Sequence, residues 1–186
     1  MFGMMTKDNG SANALELLKR DHEEVDSMFK QYEEMKDDAG DAEKKRLVAQ
    51  ICEALTVHAQ IEEAIFYPAA RRALKEGEGK DLLDEAAVEH QSLKDIIARL
   101  ESAPAKDPLF DAGVKVLSEY VKHHVKEEEN ELFPKVRSSG MDLQAIGEEL
   151  AARKEQLEAR GSRAGTGGAR RAGKRGAESR TSRGTH

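Results

Sequence analysis

One cysteine, no tryptophan and four prolines in 186 residues remove several protein classes from consideration. Cys52 alone can form no intrachain disulfide and no cysteine-rich zinc site. Aromatic residues make up 4% of the chain, and runs of alternating β-branched residues that would signal strands are nearly absent. No apolar stretch approaches the roughly 18 to 20 residues of a membrane span. The opening MFGMMTKDNG lacks the basic start and apolar run of a secretory signal. The expected setting is therefore cytoplasmic, with no membrane partner. A nucleophile triad, a phosphate-binding glycine loop and an acid-base pair suited to hydrolysis are also missing.

What the chain does contain is 38% hydrophobic and 35% charged residues, rich in Ala, Leu, Glu, Lys and Arg, the composition of a helical protein. Its length suits one domain with a substantial core and some extra length at the ends. The net charge of -6 is unevenly spread: residues 160 to 186 carry eight Arg or Lys against one Glu. Upstream there are 22 basic and 35 acidic residues, so the body is near -13 and the tail near +7.

Four long segments have an apolar period near 3.6. The first runs from Ser11 or Asn13, either of which can cap it, to the Asp37-Asp38-Ala39-Gly40 break. The second spans about Asp41 to Leu74 and the third about Asp81 to Ala103, stopped by Pro104. The fourth runs from about Pro108 to Ser138, with Gly140 as its stop. Short connections make neighbours antiparallel, so the expected fold is all-α, an up-down-up-down four-helix bundle over residues 11–140. Residues 1–10 are expected to be a flexible N-terminus. Pro68 and Pro134 fall inside the second and fourth segments, where each should kink the helix or end it about a turn early. A fifth amphipathic stretch, residues 141–160, is expected to cap the bundle or pack along its side, and the glycine-rich basic tail 161–186 to be disordered.

The informative feature lies on the core stripes. These read Leu18, His22, Val25, Phe29; then Ile51, Leu55, His58, Glu62, Ile65; then Leu83, Ala87, His90, Leu93, Ile97; then Val114, Leu117, Val121, His124, Glu128, Leu132. Each series steps by three or four, so one histidine per helix and two glutamates point where the aliphatic residues point. Taken singly, each histidine reads as a hydrogen-bonded core or boundary residue. Jointly, four imidazoles and two carboxylates at one level of a small bundle need a shared partner, and a cation supplies it. The chain also repeats itself: HAQIEEAIFYP at 58–68 aligns without gaps to HVKEEENELFP at 124–134. Asp21-His22 likewise matches Glu89-His90, 36 and 34 residues ahead of the next histidine. Two halves, each reading H then HxxxE, fit two metals better than one.

These motifs, HxxxEExxFYP and HxxxEExxLFP with single histidines on the first and third helices, resemble the hemerythrin family, in particular its bacterial HHE cation-binding branch, over about residues 12 to 138. The resemblance implies a non-heme di-iron centre with an oxo or hydroxo bridge. Its metal ligands would be His22, His58, Glu62, His90, His124 and Glu128. The small-molecule partner would be O2, peroxide or NO. Nitrogen and oxygen donors also suit manganese or zinc, but a six-ligand cluster favours iron or manganese over four-coordinate zinc.

Two departures from the oxygen-carrying members bear on function. Lys94 stands where they have a further histidine, and their second carboxylate is spaced to select Glu129, whereas the repeat and the stripe favour Glu128. Of about twelve positions on two six-coordinate irons, these residues would fill about eight, which favours redox chemistry or sensing over carriage. Three readings follow: an O2-, peroxide- or NO-reactive or iron- and redox-sensing protein, catalase-like if an enzyme; a non-catalytic storage or metal-responsive module; and a structural bundle whose tail makes weak, salt-sensitive nucleic-acid contacts. Either a monomer or a dimer is compatible with the sequence. Among other candidates, Cys52 reads as core, Tyr32 as core or as a donor to a bound oxygen species, and Glu63, Glu127, Glu129 and Glu131 as a solvated face that can lend one partner to a ligand histidine.

Overall fold

The computed structural model describes residues 12–75, 77 and 79–172, with side chains to residue 161. Among these, every regular element is a helix: α1 (Ala14–Met35), α2 (Asp41–Ile61), α3 (Tyr67–Ala73), α4 (Lys80–Ser102), α5 (Phe110–Glu127), α6 (Phe133–Ser138) and α7 (Leu143–Ala172). Helix α1 packs on α2, α4 on α5, and the two pairs meet to close the expected bundle. Asn13 rather than Ser11 is the first cap. Its side chain accepts from the Leu15 and Glu16 backbone N–H groups, while Glu16 accepts from the Asn13 N–H, a complete capping box.

Pro68 and Pro134 neither kink nor stop their helices in the simple way expected. Each is preceded by a five-residue π turn, Glu62–Phe66 and Glu128–Leu132, after which α3 and α6 continue. A proline inside an α-helix has no N–H to donate and its ring meets the carbonyl four residues back. Widening the preceding turn accommodates the ring while keeping the chain helical, with the Tyr67 and Phe133 N–H groups donating to the carbonyls of Glu62 and Glu128. The extra residue in the turn rotates the core face by one, so Phe66 and Tyr67 are buried where a continuous α stripe would bury Ile65. On α4 the face passes through Ala86, leaving Ala87 exposed.

The core forms two apolar clusters. One, built around Phe29, Ile51, Leu55, Leu93, Phe110 and Leu117, also holds Cys52; the other is built around Leu15, Leu18, Ile61, Phe66, Leu83, Leu132, Phe133 and Leu150. The four stripe histidines fall between them in sequence: His22 between Leu18 and Val25, His58 between Leu55 and Ile61, His90 between Ala86 and Leu93, His124 between Val121 and Leu132. Each helix thus crosses from one apolar cluster to the other through a polar level. Tyr32 lies in the first cluster, away from that level. Its hydroxyl donates to Asp111 at 2.5 Å and Lys44 reaches the same carboxylate, so it serves the core rather than any bound oxygen species.

The fifth amphipathic stretch packs along the side, on α1 and α2. Leu150 is fully buried. Gly147 lies so close to the start of α1 that a Cβ there would stand 2.5 Å from the Ala12 carbonyl oxygen and 2.8 Å from the Ala14 nitrogen. Helix α7 runs on to Ala172, twelve residues beyond the expected boundary at residue 160. The expected flexible residues 1–10 and tail residues 173–186 lie outside the described residues.

Because the obstacle at Gly147 is backbone, Gly147→Ala should force α7 off α1. A cost of about 1 to 3 kcal/mol is expected in urea unfolding, in the range of overpacking changes.

Candidate metal centre

The polar level gathers all six residues named from the stripes. His22, His58, Glu62, His90, His124 and Glu128 are each at most 7% exposed. The imidazoles meet in two pairs: His22 Nε2 lies 3.1 Å from His58 Nε2, and His90 Nε2 lies 3.1 Å from His124 Nε2. The two carboxylates connect the pairs crosswise. Glu62 Oε1 is 3.2 Å from His58 Nε2 and its Oε2 is 3.4 Å from His90 Nε2, whereas Glu128 Oε2 is 3.4 Å from His22 Nε2 and 4.0 Å from His124 Nε2. Two groups of potential ligand atoms result, His22-His58-Glu62-Glu128 and Glu62-His90-His124.

The outer nitrogen of every imidazole is held by a further carboxylate. His22 Nδ1 meets Glu129 at 2.8 Å, His124 Nδ1 meets Glu89 at 2.8 Å, His90 Nδ1 meets Glu63 at 3.0 Å and His58 Nδ1 meets Asp21 at 3.4 Å. A neutral imidazole carries one N–H; donated outward from Nδ1, it leaves Nε2 as a lone pair aimed inward. Two such lone pairs 3.1 Å apart, twice over, are an arrangement that a cation between them satisfies. Glu129 is therefore part of the outer ring, and the carboxylate that points into the level from α5's end is Glu128.

The carboxylate oxygens of the level point the same way. Glu62 Oε1 and both carboxylate oxygens of Glu128 are buried with no well-formed hydrogen bond among the described residues, the imidazoles of the level standing near them. A buried carboxylate without compensation costs several kcal/mol, so these oxygens call for positive charge. Nitrogen and oxygen donors in two adjoining sets fit two ions of iron or manganese type.

Charge in the metal-free level settles the same way. Burial drives His58 down, but the facing charge of Glu62 and the hydrogen bonds to Asp21 and Glu62 outweigh it and carry its pKa up to about 10. Burial opposes charge on His22 and His90 too, yet Glu128 and Glu62 raise both above their ordinary value. Glu62 is fully buried, which alone would raise it, but His58 and His90 hold it well below the usual carboxylate range. The level thus favours positive charge on these three imidazoles, where the carboxylates call for it.

Tyr67 is a site residue that α-helical periodicity could not reveal. Five residues after Glu62, it would sit about 140° off the stripe in a regular helix, but the π turn returns it to the same face. Its hydroxyl is 3.4 Å from Glu62 Oε2, 3.3 Å from His90 Nε2 and 3.5 Å from His124 Nε2. Burial and the charges of Glu128 and Glu62 keep its phenol protonated, well above the ordinary tyrosine range. The matching position of the other half is Phe133, which lies parallel to His22 with ring centres 6.2 Å apart. The two halves therefore differ in chemistry: phenol beside His90 and His124, phenyl beside His22. Asp21 and Glu89, aligned in the repeat but given no role from sequence, are both outer partners.

Beside the imidazoles is a cavity of about 30 Å³ walled by Val25, Leu55, Leu93, Ile97, Val121 and Val125. One water needs about 10 to 15 Å³, so the space is of the order of two or three small atoms. Lys94 is at its edge and extends away to Glu63 at 2.6 and 2.7 Å.

A helical bundle that carries a histidine-glutamate level between two apolar clusters is a cation-binding domain of the helical-bundle type. The family model described as "Hemerythrin HHE cation binding domain" matches residues 13–136, and the chain belongs to that family. A crystal structure of a hemerythrin HHE cation binding domain-containing protein from Mycobacterium kansasii superposes with a TM-score of 0.65 at 25% identity, over 80% of this chain and 88% of that one. A protein of Mycobacterium tuberculosis named as uncharacterized, Rv2633c, is 29% identical over 78% of this chain and 87% of its own length. A DNA nickase of Nostoc sp. is 30% identical over 71% of this chain, but the match spans 36% of that protein. Among the described residues no helix is long and apolar enough to cross a membrane.

The protonated level has a measurable consequence for the metal-free chain. A histidine raised on folding stabilises the fold fully below its ordinary value of 6.5 and stops doing so as the pH rises through its folded value, which for His58 is about 10. A carboxylate held low contributes above its ordinary value of 4.5 and loses that as the pH falls. Melting of metal-free protein should therefore be highest between about pH 5 and 7, decline towards pH 10, and show a flatter alkaline limb in Glu62→Gln.

Proposed function

We propose that the six residues of the polar level hold two metal ions, with iron the best match, and that the protein binds or turns over a small oxidant such as O2, peroxide or NO. What carries the reading is the double pairing: two pairs of inward Nε2 atoms 3.1 Å apart, with the buried carboxylates of Glu62 and Glu128 facing them and facing no other donor strongly enough to satisfy all their oxygens. His22 and His58 would hold one ion, His90 and His124 the other, with Glu62 and Glu128 shared between them. Tyr67 offers a further oxygen on the His90-His124 side, where Glu128 is more distant. When bound, such ions supply redox equivalents and Lewis acidity that this chain's side chains lack.

The chain's own contribution is positioning and exclusion. Outer carboxylates fix each imidazole's tautomer and direction. The small, mostly apolar cavity beside the rings favours a reactant of two or three heavy atoms. Among the described residues Tyr67 is the buried hydroxyl that reaches the level, and it can donate a hydrogen bond to an oxygen species held there. Lys94 replaces an imidazole with an outward-turned ammonium, so that side stays open, which favours reaction or sensing over protected carriage. A cytoplasmic setting accords with this reading.

Chain produced in iron-sufficient cytoplasm should contain about two irons, and His58→Ala combined with His124→Ala should lose most of both. Iron-free protein that remains metal-free on anaerobic ferrous reconstitution would refute the metal reading. Peroxide added to the loaded protein separates an enzyme, which evolves O2, from a storage or sensing module, which is inert but melts higher with metal than without. Tyr67→Phe should keep the metal count while changing the visible absorption; an unaltered spectrum would remove Tyr67 from the site.

A further inference from the structure

Each outer carboxylate is itself met by a basic side chain. Lys19 Nζ is 3.3 Å from Glu129, Lys94 Nζ is 2.6 Å from Glu63, and His123 Nε2 is 3.5 Å from Glu89. These three basic side chains and their carboxylates all come from the bundle. The fourth chain is different: Asp21, which faces His58, receives Lys154 from α7, with Nζ 2.6 Å from Oδ1. From this we infer that Lys154 is a positioning residue for the metal centre, through which the accessory helix sets the direction of His58. The inference rests on the metal reading above.

Reach makes this chain the most dependent on its cation. Asp21 is one carbon shorter than the three glutamates, and its contact to His58, at 3.4 Å, is the longest of the four. A carboxylate at that range orients an imidazole only if its own rotamer is fixed. Lys154 fixes it by gripping Oδ1, which leaves Oδ2 towards His58 Nδ1. The pair is only part exposed, with side chains at 25% and 9%, so the charges are less screened than at the surface. Glu158, one turn on at 3.8 Å, holds the same ammonium from the solvent side.

The placement of Lys154 follows from the packing of α7. Gly147, Leu150 and Lys154 are spaced i, i+3 and i+7, so they share one helix face. Gly147 sets the approach to the start of α1, Leu150 enters the apolar cluster beneath the site, and the next turn brings Lys154 over Asp21. Moving α7 therefore moves the cation that holds the carboxylate that directs His58. No other helix outside the four-helix core touches the centre in this way among the described residues.

The test uses the full chain as wild type, Lys154→Met and Lys154→Arg. Imidazole nitrogen NMR spectra of the metal-free proteins should show the His58 signals displaced in Lys154→Met, the His90 and His124 signals unmoved, and the His58 signals restored in Lys154→Arg. Competition against a chelator should show one of two ferrous sites weakened about tenfold in Lys154→Met, in line with other outer partners of ligand histidines, and recovered in Lys154→Arg. His58 signals that stay in place with both sites at wild-type affinity overturn the inference. So does an equal shift of all four histidines, which marks general loosening. A wild-type chain that takes up no metal refutes the metal reading, while the His58 spectra still decide whether Lys154 directs that ring.

Discussion

Two fully buried carboxylates and four inward imidazole nitrogens lie at one level of a narrow bundle, and the rest of the structure is arranged around the cost of keeping them there. Removing a carboxylate from water without compensation costs several kcal/mol, comparable with the whole stability of a domain. The chain meets that cost by concentration: no other described layer of the core is polar in this way, and apolar clusters seal it above and below. The facing carboxylates raise His58, His22 and His90 above their ordinary value and so favour a proton on them in the metal-free level. A metal ion would replace those protons, which ties affinity to pH.

Helix geometry makes the level possible. Spacing of four puts each glutamate one turn below its histidine, and the π turn that follows extends the useful face to a fifth residue, Tyr67 in one half and Phe133 in the other. The prolines that demand the wide turns therefore do more than interrupt a helix; they bring a phenol hydroxyl to within 3.5 Å of three site residues. Around this, four carboxylates and the basic side chains beside them form a second ring that decides which nitrogen of each imidazole faces inward.

Much of this could be read in advance, because it depends on periods and repeats. His22, His58, His90 and His124 fall on apolar stripes, and the gapless match of 58–68 to 124–134 announces the twofold pairing. The bundle and the convergence of its six polar residues follow from that pattern alone. Other features depend on events that periodicity averages away. Tyr67 required a π turn, Ile65 lost its place to Phe66 for the same reason, and the roles of Asp21, Glu89 and Lys154 depend on contacts between residues up to 133 positions apart. Tyr32, plausible from its stripe, belongs to a different apolar cluster and bonds Asp111.

The central claim is that the polar level is a two-ion site. An anomalous-difference map from crystals of the iron-loaded chain, collected on both sides of the iron absorption edge, tests it most directly. Two peaks about 3 to 4 Å apart, one among His22, His58, Glu62 and Glu128 and one among Glu62, His90 and His124, are predicted. A level with no peak, or with a single ion bound by only one pair of histidines, would contradict the account.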